Sequence, residues 1–494
     1  MTAGGPDSSA VERAGLEVEL DRPLPQSLPP GPATEVFCAG SCLHQAAAIE
    51  DLALIVDGTR HRPAAQGMPR PDGRSGFWGT VPVGRRERPR DIELGVEARL
   101  ADGMTAAVAL GTIAAAEPPA PASFATVHGR ARPLIAVCMT TFDPDPELFR
   151  VQIESIRAQT DPDWVCVISD DCSAPDRFAV INETVAGDER FVVARASRRL
   201  GFYKNFERAL YMAPAEAELI ALSDHDDRWY PDKLETLRAA LGGAELAYSD
   251  ARLVDEDGAP RRNTLWRGRR SNHTNLASLL ISNTVPGAAS LLRRRVLDRA
   301  LPFPDGPGWD FHDHWLALVA LALGDVAYVD RPLYDYVQHP GAVLGRVVSE
   351  PDPDVAGDRA GLAARIARRR GSLARWRSAY FAVYLHADLQ SRVLETRCSD
   401  RLTHRKRRAL RWIRRASRSP FALAWLAARP ARALAGRNET LGVEATMVKG
   451  LVWRHLLTLR GQRAEAGPNA AMSAVPSFDP HGAGPRLRRW LARR

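Results

Sequence analysis

Leu219-Ile220-Ala221-Leu222-Ser223-Asp224-His225-Asp226-Asp227-Arg228-Trp229 runs without a break from an apolar segment into a carboxylate cluster. Consecutive apolar residues bounded by polar ones suit a strand buried on both faces of a parallel sheet. Carboxylates at the end of such a strand concentrate negative charge at a sheet edge, which is costly unless a cation lies among them. Hard oxygen donors suit Mg²⁺ or Mn²⁺, and such an ion bridging a pyrophosphate fits the pattern. The alternative is a solvated turn before a helix whose start is marked by Pro231.

Strand-like apolar runs on either side alternate with helical patterns. Residues 134–139, 164–169, 191–194, 219–223 and 246–250 read as strands. Between them, Phe149, Ile153 and Ile156, then Phe206 and Leu210, then Leu234, Leu237 and Leu241 recur at helical spacing. That alternation predicts an α/β domain with a parallel sheet and crossover helices. A further buried helix is predicted over 313–323 from Leu316, Val319, Ala320 and Leu323. Ligands of open parallel sheets bind beyond the C-terminal strand ends. The strand ends here carry Thr140-Thr141-Phe142, Ser169-Asp170-Asp171-Cys172-Ser173 and the 224–227 cluster, which together fit a nucleotide-diphosphate pocket.

A chain of 494 residues exceeds what one core fills, so two to four domains are expected. Residues 1–35, rich in Gly and Pro, read as disordered or linker. Residues 36–116 read as a small β-sandwich-like domain of five to seven strands with hairpin turns at Asp57-Gly58 and Asp102-Gly103. Phe77 and Trp78 are expected in its core, with sugar stacking as the alternative. Residues 117–131 read as a linker, 132–350 as the α/β domain and 351–494 as an Arg-rich helical region.

Net charge is +8, carried almost entirely by Arg, with Lys only at 204, 233, 406 and 449. Segments such as 365–370 and 406–415 interleave Arg with Ile and Trp. They predict peripheral contact with an anionic membrane, the alternative being the solvated basic face of a helical subdomain. No nucleic-acid module is recognisable, so no nucleic-acid partner is expected. Six cysteines are too few for a disulfide scaffold, and Cys38-x-x-x-Cys42 lacks a second ligand pair. The N-terminus has no signal-peptide pattern and no apolar run reaches membrane-spanning length. A reduced cytoplasmic location follows, peripheral at the inner face of the cell membrane.

Several motifs in order resemble family 2 glycosyltransferases, which have the GT-A fold. They are Thr140-Thr-Phe, the Gln152-Ile-x-Ser-Ile-x-x-Gln159 helix, Asp170-Asp-x-Ser, Gly201-Phe-Tyr-Lys-Asn205 and Asp224-His-Asp-Asp-x-Trp229. Asn283-x-x-x-Gly287, His312-Asp-His-Trp315 and Tyr336-Val-Gln-His339 follow. Order and spacing are similar to the rhamnosyltransferase-like branch over about 132–346.

The resemblance implies a site, residue by residue. Thr140, Thr141, Asp170, Asp171, Lys204, Asn205, Asp224, Arg228 and Trp229 would bind the nucleotide sugar, with Asp170 meeting the base, Asp224 the ribose, and Lys204 and Arg228 steadying phosphate charge. Asp226, with Asp224 and His339, would hold Mg²⁺ or Mn²⁺. Asp313 would be the catalytic base, its alternative being a helix cap, and Trp309, His312 and Trp315 would shape the acceptor site, core packing being the alternative for the two tryptophans. One base and one cation imply a single displacement with inversion. The chain departs from the pattern at Cys172 (usually Gly), at His225 (usually Gln) and after His339, where Pro340-Gly341-Ala342 replaces the customary Asn.

The expected activity is therefore metal-dependent transfer of a sugar from a nucleotide donor to a glycan or lipid-linked acceptor in bacterial surface polysaccharide synthesis. dTDP-rhamnose is the first donor implied, a UDP-hexose or UDP-galactofuranose the second. The alternatives are a glycan-binding protein without turnover and a nucleotidyltransferase, which would need a Gly-rich basic loop that Thr140-Thr-Phe-Asp-Pro-Asp-Pro lacks.

Overall fold

The structure, a computed structural model, describes residues 15–70, 72–124, 132–266, 271–307, 310–339 and 375–464. At its centre is a mixed sheet. The strand order is Phe191–Arg195, Trp164–Asp170, Ile135–Thr141, Leu219–Ser223, Ser290–Arg293, Leu246–Asp255, Val326–Gln338 and Arg228–Trp229, with Pro260–Arg262 beside Leu246–Asp255. The first four strands are mutually parallel. Ser290–Arg293 runs antiparallel to both neighbours, so the sheet is mixed rather than wholly parallel. Ile135–Thr141, Trp164–Asp170 and Leu219–Ser223 are buried throughout, which explains their unbroken apolar character.

The predicted helical stripes are the buried ones. Pro146–Arg157 buries Phe149, Ile153 and Ile156, Phe202–Tyr211 buries Phe206 and Leu210, and Lys233–Leu241 buries Leu234, Leu237 and Leu241. Each such side chain contributes about 1.5–3 kcal/mol of burial. Strand register pairs Thr141 with Asp170, Asp170 with Arg195 and Met139 with Ser223. The polar strand ends thus meet at one sheet edge.

Residues 16–115 form two further sheets around a separate core that includes Val36, Leu54, Phe77, Val81, Ile92 and Val96. Asp57-Gly58 turns Ile49–Val56 into Thr59–His61, both turn residues having positive φ, and Asp102-Gly103 joins Ile92–Leu100 to Thr105–Ala115. The disordered or linker reading of 1–35 is corrected from residue 16 onward. Leu16–Leu20 pairs along Thr34–His44 and buries Leu16, a five-residue strand hidden by surrounding Gly and Pro. Residues 1–14 lie outside the described ones.

The helices of 375–464 share the central domain's core through Leu385, Leu389, Val393, Leu410 and Ile413. Trp78 joins this junction: its Nε1 donates to Tyr380 Oη at 3.4 Å, and its ring packs among Tyr380, Phe381 and Trp453. Arg397, 2% exposed, donates to the carbonyls of Ala33, Ala300 and Pro302 at 2.8 Å and of Arg299 at 3.1 Å. It binds all three regions at one point.

His404–Arg415 turns Leu410 and Ile413 inward, and Trp412 packs on Trp425, so the apolar residues interleaved with its charges serve packing. Residues 365–370 lie outside the described ones. Among the described residues no helix is long and apolar enough to cross a membrane.

Candidate active site

After Ser223 the chain leaves the sheet. Asp224, His225 and Asp226 stay partly covered, while Asp227 is buried. His225 Nδ1 lies 3.1 Å from the Thr140 carbonyl oxygen, which pins the turn to the neighbouring strand end. Asp226 Oδ2 lies 2.7 Å from Nε2 of His339, just past the end of Val326–Gln338. Burial alone would raise the Asp226 carboxyl, but His225 and His339 outweigh it and hold it below the ordinary range. The hydrogen bond to Asp226 in turn raises His339. Asp224 is pushed up to about 7 by burial and then by the negative charges of Asp226 and Asp313. These carboxylates thus lie in one another's field.

Asp313 sits in the first turn of His312–Leu323. The His314 N–H donates to its Oδ1 at 2.6 Å, and the Gly287 N–H and the Asn283 side chain also bond it. Burial outweighs these bonds and pushes the carboxyl up to about 6. A carboxylate titrating there is suited to accept a proton near neutral pH. Gly287 is dictated by space: a Cβ would lie 2.7 Å from His312 Nε2 and 3.2 Å from Asp313 Cβ.

Several residues expected at the donor pocket are held elsewhere. Asp170 is fully buried: Oδ1 accepts from Thr141 Oγ1 at 3.0 Å and from Ser173 Oγ, and Oδ2 accepts from the Ser173 N–H at 3.0 Å. Arg195 Nε stands 3.7 Å from Oδ2. Asp171 accepts from the N–H groups of Leu200 and Gly201 at 2.5 and 2.9 Å. Asn205 is 1% exposed and ties its helix to the strand Trp164–Asp170, accepting from Ser169 Oγ at 2.6 Å and donating to the Ser169 carbonyl at 2.8 Å. Lys204 pairs with Glu207 at 3.0 Å, and Arg228 pairs with Asp335, whose carboxylate Arg252 and Tyr230 share.

The aromatic residues expected at the site are buried. Trp229 is 2% exposed and lies under the Lys233 ammonium. Trp315 is fully buried and donates to the Ala300 carbonyl at 2.9 Å. His312 stacks on Phe206 at 3.6 Å, and burial pushes it down to about 3, so it is neutral. Only Trp309 among the acceptor-site expectations lies outside the described residues.

Lys233 was overlooked because a lysine opening an amphipathic helix reads as solvent-facing. It is 0% exposed, its Nζ 3.5 Å from the Trp229 ring centroid and 4.7 Å from that of Tyr334, and it donates to the Ala288 carbonyl. Burial pushes it well below the ordinary lysine range, opposed by Asp227 and Asp224. Cys172, where the family has Gly, keeps a left-handed backbone with φ of 65°.

The donor set of Asp224, Asp226 and His339 suits Mn²⁺ or Mg²⁺ by its oxygen and imidazole chemistry. The negative charges of Asp226 and Asp313, which add to burial in raising Asp224, are of the kind a divalent cation relieves. Among the described residues no group of three or more His, Cys, Asp or Glu side chains is gathered closely enough to hold an ion unaided.

Residues 136–301 match the model of glycosyl transferase family 2. The uncharacterized protein y4gI of Sinorhizobium fredii is 34% identical over 128 residues, 25% of this chain and 13% of that protein. The Bacillus subtilis protein named as the teichuronic acid biosynthesis glycosyltransferase TuaG is 27% identical over 131 residues, 26% of this chain and 51% of that protein. The chain thus spans about half or less of the length of these curated relatives.

Among solved structures, S. aureus TarS in complex with UDP-GlcNAc is 14% identical, with a TM-score of 0.37 over 64% of this chain and 90% of that one. The Pyrobaculum calidifontis mannosyltransferase PcManGT with GDP-Man and Mn²⁺ is 18% identical, with a TM-score of 0.33 over 65% of this chain and 87% of that one. The glycosyl transferase family 2 match thus falls on the part of the mixed sheet that carries the acidic turn 224–227 and ends before Asp313.

Proposed function

We propose that the chain is an inverting, metal-dependent glycosyltransferase. It would pass a sugar from a nucleoside-diphosphate donor to a glycan or lipid-linked acceptor in surface polysaccharide synthesis. The observation that carries this reading is the convergence of Asp224, Asp226 and Asp313 at the C-terminal sheet edge, with Asp226 bonded to His339 and Asp313 titrating near 6. TuaG, named for teichuronic acid biosynthesis, supports the polysaccharide setting.

Asp226 and His339, with Asp224, would hold Mg²⁺ or Mn²⁺. A bound cation supplies charge neutralisation for a diphosphate leaving group. His225, bonded to the Thr140 carbonyl, keeps the acidic turn against the strand end. Asp313 takes the proton of the attacking hydroxyl. Asn283 and Gly287 aim its carboxylate, and the closeness of Gly287 fixes the His312–Asp313 turn. Asp170, Asp171 and Asn205, held by their hydrogen bonds at the neighbouring strand ends, would shape the donor pocket beside the acidic turn. One base and one leaving group on opposite sides of the anomeric carbon give inversion.

The test is a thermal-shift screen of nucleotide sugars with Mn²⁺ or Mg²⁺, dTDP-rhamnose first and the UDP-hexoses and UDP-galactofuranose next. One donor is expected to stabilise the wild type and to lose most of that effect in Asp226→Ala. Asp313→Ala is expected to keep donor binding and lose turnover. Equal responses of wild type and Asp226→Ala would remove the cation site, and unchanged turnover would remove Asp313 as base. Peripheral contact with the inner face of the membrane through the C-terminal helices belongs to the same proposal.

A further inference from the structure

Residues 401–438 contain eleven arginines, one lysine and no Asp or Glu. Within this stretch lies the helix Pro420–Ala428, whose sequence Pro-Phe-Ala-Leu-Ala-Trp-Leu-Ala-Ala is wholly uncharged, yet it buries only Ala422 and Leu426. Phe421 is 79% exposed, and Leu434, in the 3-10 turn that follows, is 93% exposed. Ala424, Ala428, Ala431 and Ala435 are exposed as well. A helix apolar all round is normally buried, and an apolar surface rimmed by charge marks an interaction site.

The rim is cationic. Arg415 and Arg418 precede the helix, Arg437 follows the turn, and all three are exposed. Arg414 and Arg432 pair with Glu395 and Glu439, but among the described residues Arg415, Arg418 and Arg437 form no ion pair. Uncompensated guanidinium groups around a shallow apolar wedge match lipid phosphates around acyl chains. A nucleic acid would have no use for the wedge, and a second copy of the chain would bring the same positive charge to it.

The segment is also anchored to the catalytic half. Arg429 and Arg432 donate to Ser278 Oγ at 2.7 and 2.8 Å on the helix Leu276–Ile281. On that helix the Leu279 carbonyl oxygen lies 2.7 Å from His314 Nε2, one residue from Asp313. We infer that residues 415–437 form a docking surface for an anionic bilayer, with Phe421 and Leu434 inserted at the headgroup level and Arg415, Arg418 and Arg437 on lipid phosphates. This deepens the peripheral contact of the proposed glycosyltransferase and rests on that reading. It moves the contact from the Arg-rich helix His404–Arg415, whose apolar residues pack inward, to the uncharged helix after it.

The test is co-sedimentation of the full chain with phosphatidylcholine vesicles with and without phosphatidylglycerol. Wild type, Phe421→Asp/Leu434→Asp and Arg415→Glu/Arg418→Glu are compared. Binding is expected only to the anionic vesicles, to fall with added salt, and to drop at least about tenfold in each double variant. The altered side chains are exposed, so unchanged circular dichroism and an unchanged donor-dependent thermal shift are expected, which separates loss of docking from failure of the catalytic reading.

Equal binding to neutral vesicles, no binding by wild type, or full binding by both variants overturns the inference. So does a concentration-dependent increase in mass by light scattering that Phe421→Asp/Leu434→Asp abolishes without any vesicle binding, since a second copy would then be the occupant.

Discussion

His339 Nε2 and Asp226 Oδ2 stand 2.7 Å apart, joining the end of the Val326–Gln338 strand to the acidic turn after Leu219–Ser223. Asp226 holds the imidazole proton to higher pH than usual. The stability this pair contributes is therefore complete below the unfolded histidine value of about 6.5 and is lost as pH rises through the raised one. A cation competes with that proton for Nε2, so Mn²⁺ affinity should rise over the same interval. In His339→Ala, calorimetric titration with Mn²⁺ and a nucleoside diphosphate should show affinity lower by at least about tenfold and a flatter pH dependence. Unchanged affinity and slope would leave His339 as an ion-pair partner only.

As the proposed base, Asp313 should tie activity to pH while its burial opposes stability. Its carboxyl is pushed up to about 6, and a base must be ionised to act. kcat/KM is expected to fall as pH drops through that value, and Asp313→Asn should reduce turnover by about 10²–10⁴-fold with donor binding retained. A raised carboxyl stabilises the fold fully below the unfolded carboxylate value, about 4, and loses that contribution as pH rises through 6. Urea denaturation should therefore find Asp313→Asn at least as stable as wild type at neutral pH, its advantage vanishing toward pH about 4. A pH profile without an acid limb in that region would count against Asp313 as base.

Buried strands and amphipathic helices were legible because burial on both faces or one stripe leaves a direct mark in the sequence, as in 219–223 and in Leu234, Leu237 and Leu241. The edge of the sheet that carries the acidic cluster was legible for the same reason. Which polar side chain at a strand end faces out was not. Asp170 and Asp226 look alike in sequence, yet one is enclosed by Thr141, Ser173 and Arg195 while the other opens toward His339. The burial of Trp229, Trp315 and Asn205 was not legible, because a motif records that a residue matters without recording whether it packs or binds. Lys233, over Tyr334 and bonded to the Ala288 carbonyl, and the apolar side of His404–Arg415 were hidden because their burial depends on partners distant in the chain.

Cys172 offers a test of backbone strain beside the site. It holds φ of 65°, in the left-handed region that costs a side chain with a Cβ about 1–2 kcal/mol. The Ser173 N–H bond to Asp170 follows directly, so the turn is imposed by its surroundings. Cys172→Gly is expected to raise stability by about 1 kcal/mol without altering donor binding. A loss of stability in chemical denaturation would mean that packing of the thiol outweighs the backbone term.

Arg397 sets how the regions unfold. Its guanidinium is 2% exposed, burial pushes it down to about 10, and its hydrogen bonds reach Ala33, Arg299, Ala300 and Pro302. Ala300 also accepts from Trp315, so the same carbonyl links the junction to the helix that begins at His312 beside Asp313. Arg397→Met removes the donor to several buried carbonyls at once, each orphan costing about 1–3 kcal/mol, so a loss of about 3 kcal/mol or more is expected. Lys, a point charge without the planar fork, should restore little. Because the C-terminal helices share the central core, circular dichroism and Trp fluorescence should report one transition in wild type and separate midpoints in Arg397→Met. Coincident, unshifted midpoints in the variant would show that the apolar interface around Trp78 and Tyr380 holds the regions together without the guanidinium.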